Sequence, residues 1–205
     1  MTDSLRRTPE TNYFVSKLAR FIFWVFGWRV TGEIPNFPKM LFIGAPHTSN
    51  WDGAVFYLFS LSVRAHIHFL GKHTLFKPPF GGLMRWAGGV PINRSTTVNA
   101  VDQVVDAFNT HERMALIIAP EGTRSYTDHW KTGFYYIALK AKVPVVFAYL
   151  DYQRRLCGVG PHFMPTGDID ADFKLVQAFY KDKVGRHPEK QGPIVLPPKE
   201  ESGHS

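Results

Sequence analysis

Three short apolar runs constrain this chain more than anything else in it. Met40-Leu41-Phe42-Ile43-Gly44-Ala45 is halted by Pro46, Ala115-Leu116-Ile117-Ile118-Ala119 is halted by Pro120, and Val143-Pro144-Val145-Val146-Phe147-Ala148-Tyr149-Leu150 is of the same kind. Runs this short, bounded by turn signals, read as buried strands. Ala65 to Gly71 alternates in part and reads as a further strand. Helical patterns lie between them. Trp51 to Val63 carries apolar residues throughout, with no Gly or Pro beyond Gly53, and Val98, Val101, Val105 and Phe108 form one stripe. Thr132 to Lys142 carries Phe134, Ala138 and Ala141 on one side, and Ile169 to Val184 carries Phe173, Val176 and Tyr180. Strands alternating with helices predict an α/β fold: a single domain with a mixed central sheet flanked by helices. At 205 residues the chain suits one core better than two. The reading divides it into an N-terminal helical segment over 1–30, a body over 31–185, and a flexible tail over 186–205, rich in Pro, Gly and charge.

Composition narrows the partners. The net charge of +7 favours anions, but the basic residues come singly or in pairs such as Arg6-Arg7 and Arg154-Arg155, unlike a nucleic-acid-binding tail. Nucleic acid is therefore not expected, and lipid head groups or phosphorylated substrates are. Cys157 is the single cysteine, so a disulfide within the chain and a Cys-rich zinc site are both excluded. A reducing, cytoplasmic setting fits that usage. The N-terminal stretch lacks a small-residue cleavage site and is not read as a signal peptide.

From Tyr13 to Val30 the sequence is YFVSKLARFIFWVFGWRV. Its uncharged core, Phe21 to Trp28, is too short for a transmembrane helix, which needs about 20 apolar residues. Phe and Trp side chains flanked by Lys17, Arg20 and Arg29 suit a helix lying in the membrane interface. An ordinary core helix is the alternative, although residues 21 to 26 are apolar nearly all round, and one core cannot easily cover every side.

The chemistry-bearing residues stand just after the apolar runs. Side chains past the carboxyl end of a strand in an open sheet face the ligand crevice, and His47 occupies that place. A histidine there can take a proton from a hydroxyl near neutral pH, and a carboxylate behind it would orient the imidazole. Asp52, five residues on, is the candidate. Ser49-x-x-Asp52 also matches a capping box, which would make Asp52 merely structural. Pro120-Glu121-Gly122-Thr123-Arg124-Ser125 follows the second run. Arg124 there can grip a phosphate, Gly122 permits close backbone approach, and Thr123 and Ser125 add donors. Lys72 and Arg94 bring two more cations to predicted strand ends, so an anion site is expected.

Taken together, these residues resemble the glycerolipid acyltransferase family, of which bacterial 1-acylglycerol-3-phosphate acyltransferase is the best-known type. His47 to Asp52 resembles its H-x4-D motif, and Gly89-Val90-Pro91-Ile92-Asn93-Arg94 its second motif, with Pro91-Ile92 replacing the usual Phe-Ile. Glu121 to Ser125 matches the third motif, and Val143-Pro144-Val145-Val146 the fourth. The resemblance implies transfer of a fatty acyl chain from acyl-CoA or acyl-acyl carrier protein to the hydroxyl of a lyso-lipid. In that scheme His47 is general base with Asp52 behind it. Lys72, Arg94, Glu121, Gly122, Thr123 and Arg124 bind the acceptor, no metal or other cofactor is needed, and the protein is held peripherally or monotopically on the cytoplasmic face of an anionic membrane. Two other readings compete: a non-catalytic lipid-binding protein of the same fold, and a metal-dependent hydrolase using His66, His68 or His73.

Overall fold

A computed structural model of the chain describes residues 12–79, 81–92 and 97–198, without the side chains of residues 72, 75, 92 and 97–99. The elements in order are α1 (Tyr13–Val25), β1 (Arg29–Thr31), β2 (Lys39–Ala45), α2 (Trp51–Ser62), β3 (Ile67–Lys72), α3 (Gly81–Trp86), β4 (Gly89–Ile92), α4 (Thr97–Thr110), β5 (Met114–Ile118), α5 (Gly133–Ala141), β6 (Val145–Asp151), β7 (Leu156–Phe163) and α6 (Ile169–Tyr180). The strands form one seven-stranded sheet in the order β1-β7-β6-β2-β5-β3-β4. From β6 to β4 all neighbours are parallel, whereas β7 is antiparallel to β6 and β1 runs parallel to β7. The mixed α/β sheet read from the sequence is therefore present, with β1, β4, β7 and α3 added by the structure.

The period of two along β2 explains its central place. Leu41, Ile43 and Ala45 turn to one face and pack with Val104 and Phe108 of α4, Phe134 and Ala138 of α5, and Phe173 and Tyr180 of α6. Met40 and Phe42 turn to the other face, against Phe23 of α1 and Phe59 of α2. Strand β2 is thus covered on both sides, as its unbroken apolar run requires. It is also where the chain reverses its course across the sheet. Strand β2 leads through α2 toward β3, while its neighbour β5 leads through α5 back toward β6. Adjacent strands whose connections leave in opposite directions open a crevice at their carboxyl ends.

Two expectations need correction. Residues 186 to 198, read as the start of a flexible tail, are packed on the body. His187 N–H donates to Thr48 Oγ1, Trp130 N–H to the Val195 carbonyl, and Gln177 Nε2 to the Ile194 carbonyl. A Pro- and Gly-rich composition argued for disorder, but backbone hydrogen bonds to distant partners hold the segment in place; residues 199–205 lie outside the described ones. The helix predicted to Val184 ends at Tyr180.

Tyr180 ties α6 to the sheet. Its fully buried hydroxyl lies 2.7 Å from the Ile43 carbonyl and 2.9 Å from that of Ala148, and it accepts the Ala148 N–H at 3.2 Å, where the β6–β7 ladder shifts register. Burial drives its pKa well above the usual phenol value, so it stays neutral and serves as both donor and acceptor. Tyr180→Phe keeps the ring and strands these backbone groups. It should lower stability by about 1–3 kcal/mol in urea denaturation, and an unchanged midpoint would show that these bonds add nothing.

Candidate active site

The site is built where β2 and β5 end. Chain leaving β2 turns through Pro46 to Asn50 into α2, whose second residue is Asp52, buried to 4% exposure. One carboxylate oxygen, Oδ2, accepts the N–H groups of Thr48 and Ser49, both at 2.8 Å, and lies 3.2 Å from His47 Nδ1. The other, Oδ1, accepts the hydroxyl of Tyr152 at 2.7 Å. The capping reading of Asp52 is therefore right, and the same carboxylate also stands beside the imidazole. The carboxylate satisfies N–H groups at the helix start, as a capping box does, and meets the imidazole with the same oxygen. Ser49 Oγ completes the turn by accepting the Trp51 N–H.

Burial alone would raise the Asp52 pKa, but the hydrogen bonds from His47, Tyr152 and the Ser49 N–H outweigh it and leave the pKa below the ordinary value. Asp52 is ionised at neutral pH. An ionised acceptor beside Nδ1 places the imidazole proton on that nitrogen and leaves Nε2 as the free base.

Glu121, at the end of β5, does a different job from the one the resemblance implied. Its buried carboxylate accepts the His47 backbone N–H, at 3.1 Å through Oε1 and 2.8 Å through Oε2, and does not line the cleft. It clamps the β5 loop to the β2 loop across the crevice. Burial pushes its pKa up to about 8; the His47 N–H offsets part of this, and the Asp52 charge adds to it. Near neutral pH it is largely uncharged, so it adds little repulsion toward an anion.

Gly122, Thr123 and Arg124 line the cleft together with His47 and Asp52. Gly122 adopts φ +68, and a Cβ there would meet the side chain of Lys131, which lies over it. Lys131 is a cation that the sequence reading missed, and it lines the same cleft as exposed Arg124. Thr123 spends its hydroxyl oxygen on the Ser125 N–H, shaping the turn. Lys72 ends β3 at the same edge of the sheet; its side chain, and Arg94 entirely, lie outside the described residues. His66 and His68 sit at the opposite end of β3 from His73, and no cluster of three or more His, Cys, Asp or Glu among the described residues could hold a metal.

The cleft holds about 1460 Å³ and runs from His47 into apolar walls that include Phe56, Ile67, Phe69, Leu83, Met84 and Val101. A polar mouth with a base, a cation pair and a long apolar interior suits an amphiphile.

Residues 12–150 match the acyltransferase family. The chain belongs to that family. By that membership the enzyme is an O-acyltransferase. It is 27% identical to a 1-acyl-sn-glycerol-3-phosphate acyltransferase of Cocos nucifera, over 97% of this chain and 71% of that one. It is 26% identical to the protein of that name from Haemophilus influenzae, over 68% of this chain and 61% of that one. Among solved structures, the enzyme resembles the 1-acyl-sn-glycerophosphate (LPA) acyltransferase PlsC from Thermotoga maritima, with a TM-score of 0.57 and 19% identity over 84% of this chain and 80% of that one, a likeness of fold.

Tyr152 and Lys131 had no signal in the sequence, because each reaches the site only through the fold. The raised pKa of Glu121 has a measurable consequence. Its neutral form is the one the folded state favours, so its contribution to stability is complete below the ordinary value of 4.5 and is lost as pH rises through about 8. Asp52 acts in the opposite sense, adding stability above 3.8 and losing it in acid. Glu121→Gln should therefore flatten the decline in stability from about pH 5 to 8, removing a slope of up to about 1.4 kcal/mol per pH unit. Equal slopes in both proteins would mean that Glu121 ionises normally.

Proposed function

We propose that the enzyme moves a fatty acyl chain from a thioester donor, acyl-CoA or acyl-acyl carrier protein, to the hydroxyl of a lyso-phospholipid such as 1-acylglycerol-3-phosphate, with His47 as general base. The observation that carries this is the His47–Asp52 pair at the mouth of an apolar cleft, with His47 partly exposed and Asp52 buried behind it. The acceptor class is supported by the names of the relatives.

His47 Nε2 takes the acceptor's hydroxyl proton as its oxygen attacks the thioester carbonyl. The developing imidazolium is stabilised by Asp52 through Nδ1–H. The carbon–oxygen bond forms, the tetrahedral intermediate collapses, the carbon–sulfur bond breaks, and the thiol leaves with the proton returned by His47. Arg124 and Lys131 face the acceptor's phosphate, and the apolar walls take an acyl chain. Asp52 holds one tautomer and one ring orientation throughout, which is the positioning that general base catalysis needs.

Helix α1 supports a peripheral attachment to the bilayer. Ser16, Ala19 and Phe23 face the body, whereas Phe14, Leu18, Phe21 and Trp24 are exposed by 57–79%. One core covers only one stripe of this helix, and the remaining apolar face is far larger than a soluble surface usually leaves uncovered. Lys17 and Arg20 flank it, placed for lipid phosphates. Among the described residues no helix is long and apolar enough to cross a membrane.

His47→Ala should reduce acyl transfer from labelled acyl-CoA to a panel of lyso-lipids by about 10²–10⁴-fold. Arg124→Ala should act mainly on the KM of phosphate-bearing acceptors. Full activity in the His47 variant would leave a base elsewhere, and a KM unchanged in the Arg124 variant would point to an acceptor without phosphate. On sedimentation with anionic vesicles, the double variant Phe21→Asp, Trp24→Asp should shift from pellet to supernatant while keeping its fold. If it stays with the vesicles, α1 is not the attachment.

A further inference from the structure

Tyr152 belongs to no sequence motif, yet it hydrogen-bonds Asp52 and is held by residues far apart in the chain. It follows β6 directly and is pinned from several sides. Its N–H donates to the Val184 carbonyl, and the edge of its ring meets Trp28 with centroids 5.0 Å apart at 87°. The guanidinium of Arg186, which lies over the Trp51 ring at 5.7 Å, adds a positive charge near the Tyr152 phenol. Before it, buried Asp151 holds the β6–β7 turn by accepting from the Arg154 backbone and guanidinium. The hydroxyl so placed donates to Asp52 Oδ1 at 2.7 Å. Among the described residues, Tyr152 and His47 are the only side chains hydrogen-bonded to that carboxylate.

Resting on the reading of His47 and Asp52 as base and orienter, we propose that Tyr152 is a positioning residue of the acyl-transfer reaction, holding the Asp52 carboxylate in plane and in its ionised form. The backbone donors of Thr48 and Ser49 both bind Oδ2, the oxygen shared with His47. Without a partner on Oδ1 the carboxylate could rotate about its Cβ–Cγ bond and exchange the two oxygens. Tyr152 prevents that rotation. It also draws charge toward Oδ1, so that Asp52 orients the imidazolium without taking its proton.

The arrangement extends beyond the pair. Trp28 follows helix α1, and Val184 and Arg186 belong to the C-terminal segment that also bonds Thr48 through the His187 N–H. The chain just after α1 and the C-terminal segment therefore both meet Tyr152. The titratable and charged groups facing Asp52 and Tyr152 are His47 and Glu121 from the loops after β2 and β5, Arg186 and His187 from the C-terminal segment, and Asp151 beside Tyr152.

The test compares Tyr152→Phe and Arg186→Gln with wild type and with His47→Ala, using labelled acyl-CoA and 1-acylglycerol-3-phosphate across pH. Tyr152→Phe should lower kcat about tenfold, as expected for a hydrogen bond to a charged group, with both KM values unchanged. The acid limb of its pH–kcat profile should move to higher pH. Losing the donor raises the Asp52 pKa, so the carboxylate beside the imidazole takes up a proton at higher pH and the limb moves with it. Arg186→Gln, at an exposed side chain that does not threaten folding, should move the limb in the same direction by less. An unmoved limb in both variants, or a raised KM at constant kcat, overturns the positioning role even if activity falls. Activity retained in His47→Ala would remove the reading beneath it instead, and the two failures are distinguishable in one set of assays.

Discussion

The carboxylate of Asp52 is the constraint around which the site is arranged. A buried anion is unfavourable unless hydrogen-bonded, and this one collects two backbone donors, an imidazole and a phenol. Each donor comes with a structural commitment. The backbone groups shape the turn into α2, the imidazole becomes a single tautomer, and the phenol anchors the region after β6. A charge that must be satisfied from several directions makes the loop rigid in the way a catalytic base requires.

Glu121 supplies a second, complementary constraint. By taking the His47 N–H across the crevice, it links the two strands whose connections diverge. The two acids are separated by environment: Asp52 is held ionised by its donors, and Glu121 is kept largely neutral by burial and by the neighbouring charge. Two carboxylates so close would repel if both were charged. Their divergence leaves one negative charge behind the histidine, and Arg124 and Lys131 at the mouth of the cleft.

The apolar cleft and the exposed face of α1 belong to the same physical problem. On the proposed function, an amphiphilic acceptor leaves a bilayer without exposing its chain fully to water. Walls such as Phe56, Phe69 and Leu83 would give it an apolar refuge beside His47, and Phe14, Leu18, Phe21 and Trp24 give the protein an apolar face of its own. Trp28, three residues past that helix and against Tyr152, joins α1 to the surroundings of Asp52 through a ring contact.

Much of the fold was legible because its signals are local. The runs at 40–45 and 115–119 could only be buried strands, the helical stripes between them placed the layers, and His47, Asp52 and Arg124 followed from their positions after those strands. Even the doubt about Asp52 was well founded, since it does fill the capping role. Strands β1, β4 and β7 escaped notice because they are short or carry little apolar pattern, and their pairing depends on neighbours already in place. Glu121 was recognisable as part of a motif, but its role was not, because a carboxylate that bonds a backbone N–H 74 positions away leaves no trace in spacing. The same holds for Tyr152, 100 residues from the aspartate it touches, and for the packed segment from 186 to 198. Periodicity and motif spacing are properties of neighbouring residues, so the sequence determined by itself the layered architecture and the placing of His47, Asp52 and Arg124 at the crevice. Which donors hold the partner ionised, which acid stays neutral and what covers the loop depend on burial and long-range hydrogen bonds, and these exist only once the sheet has brought distant residues together.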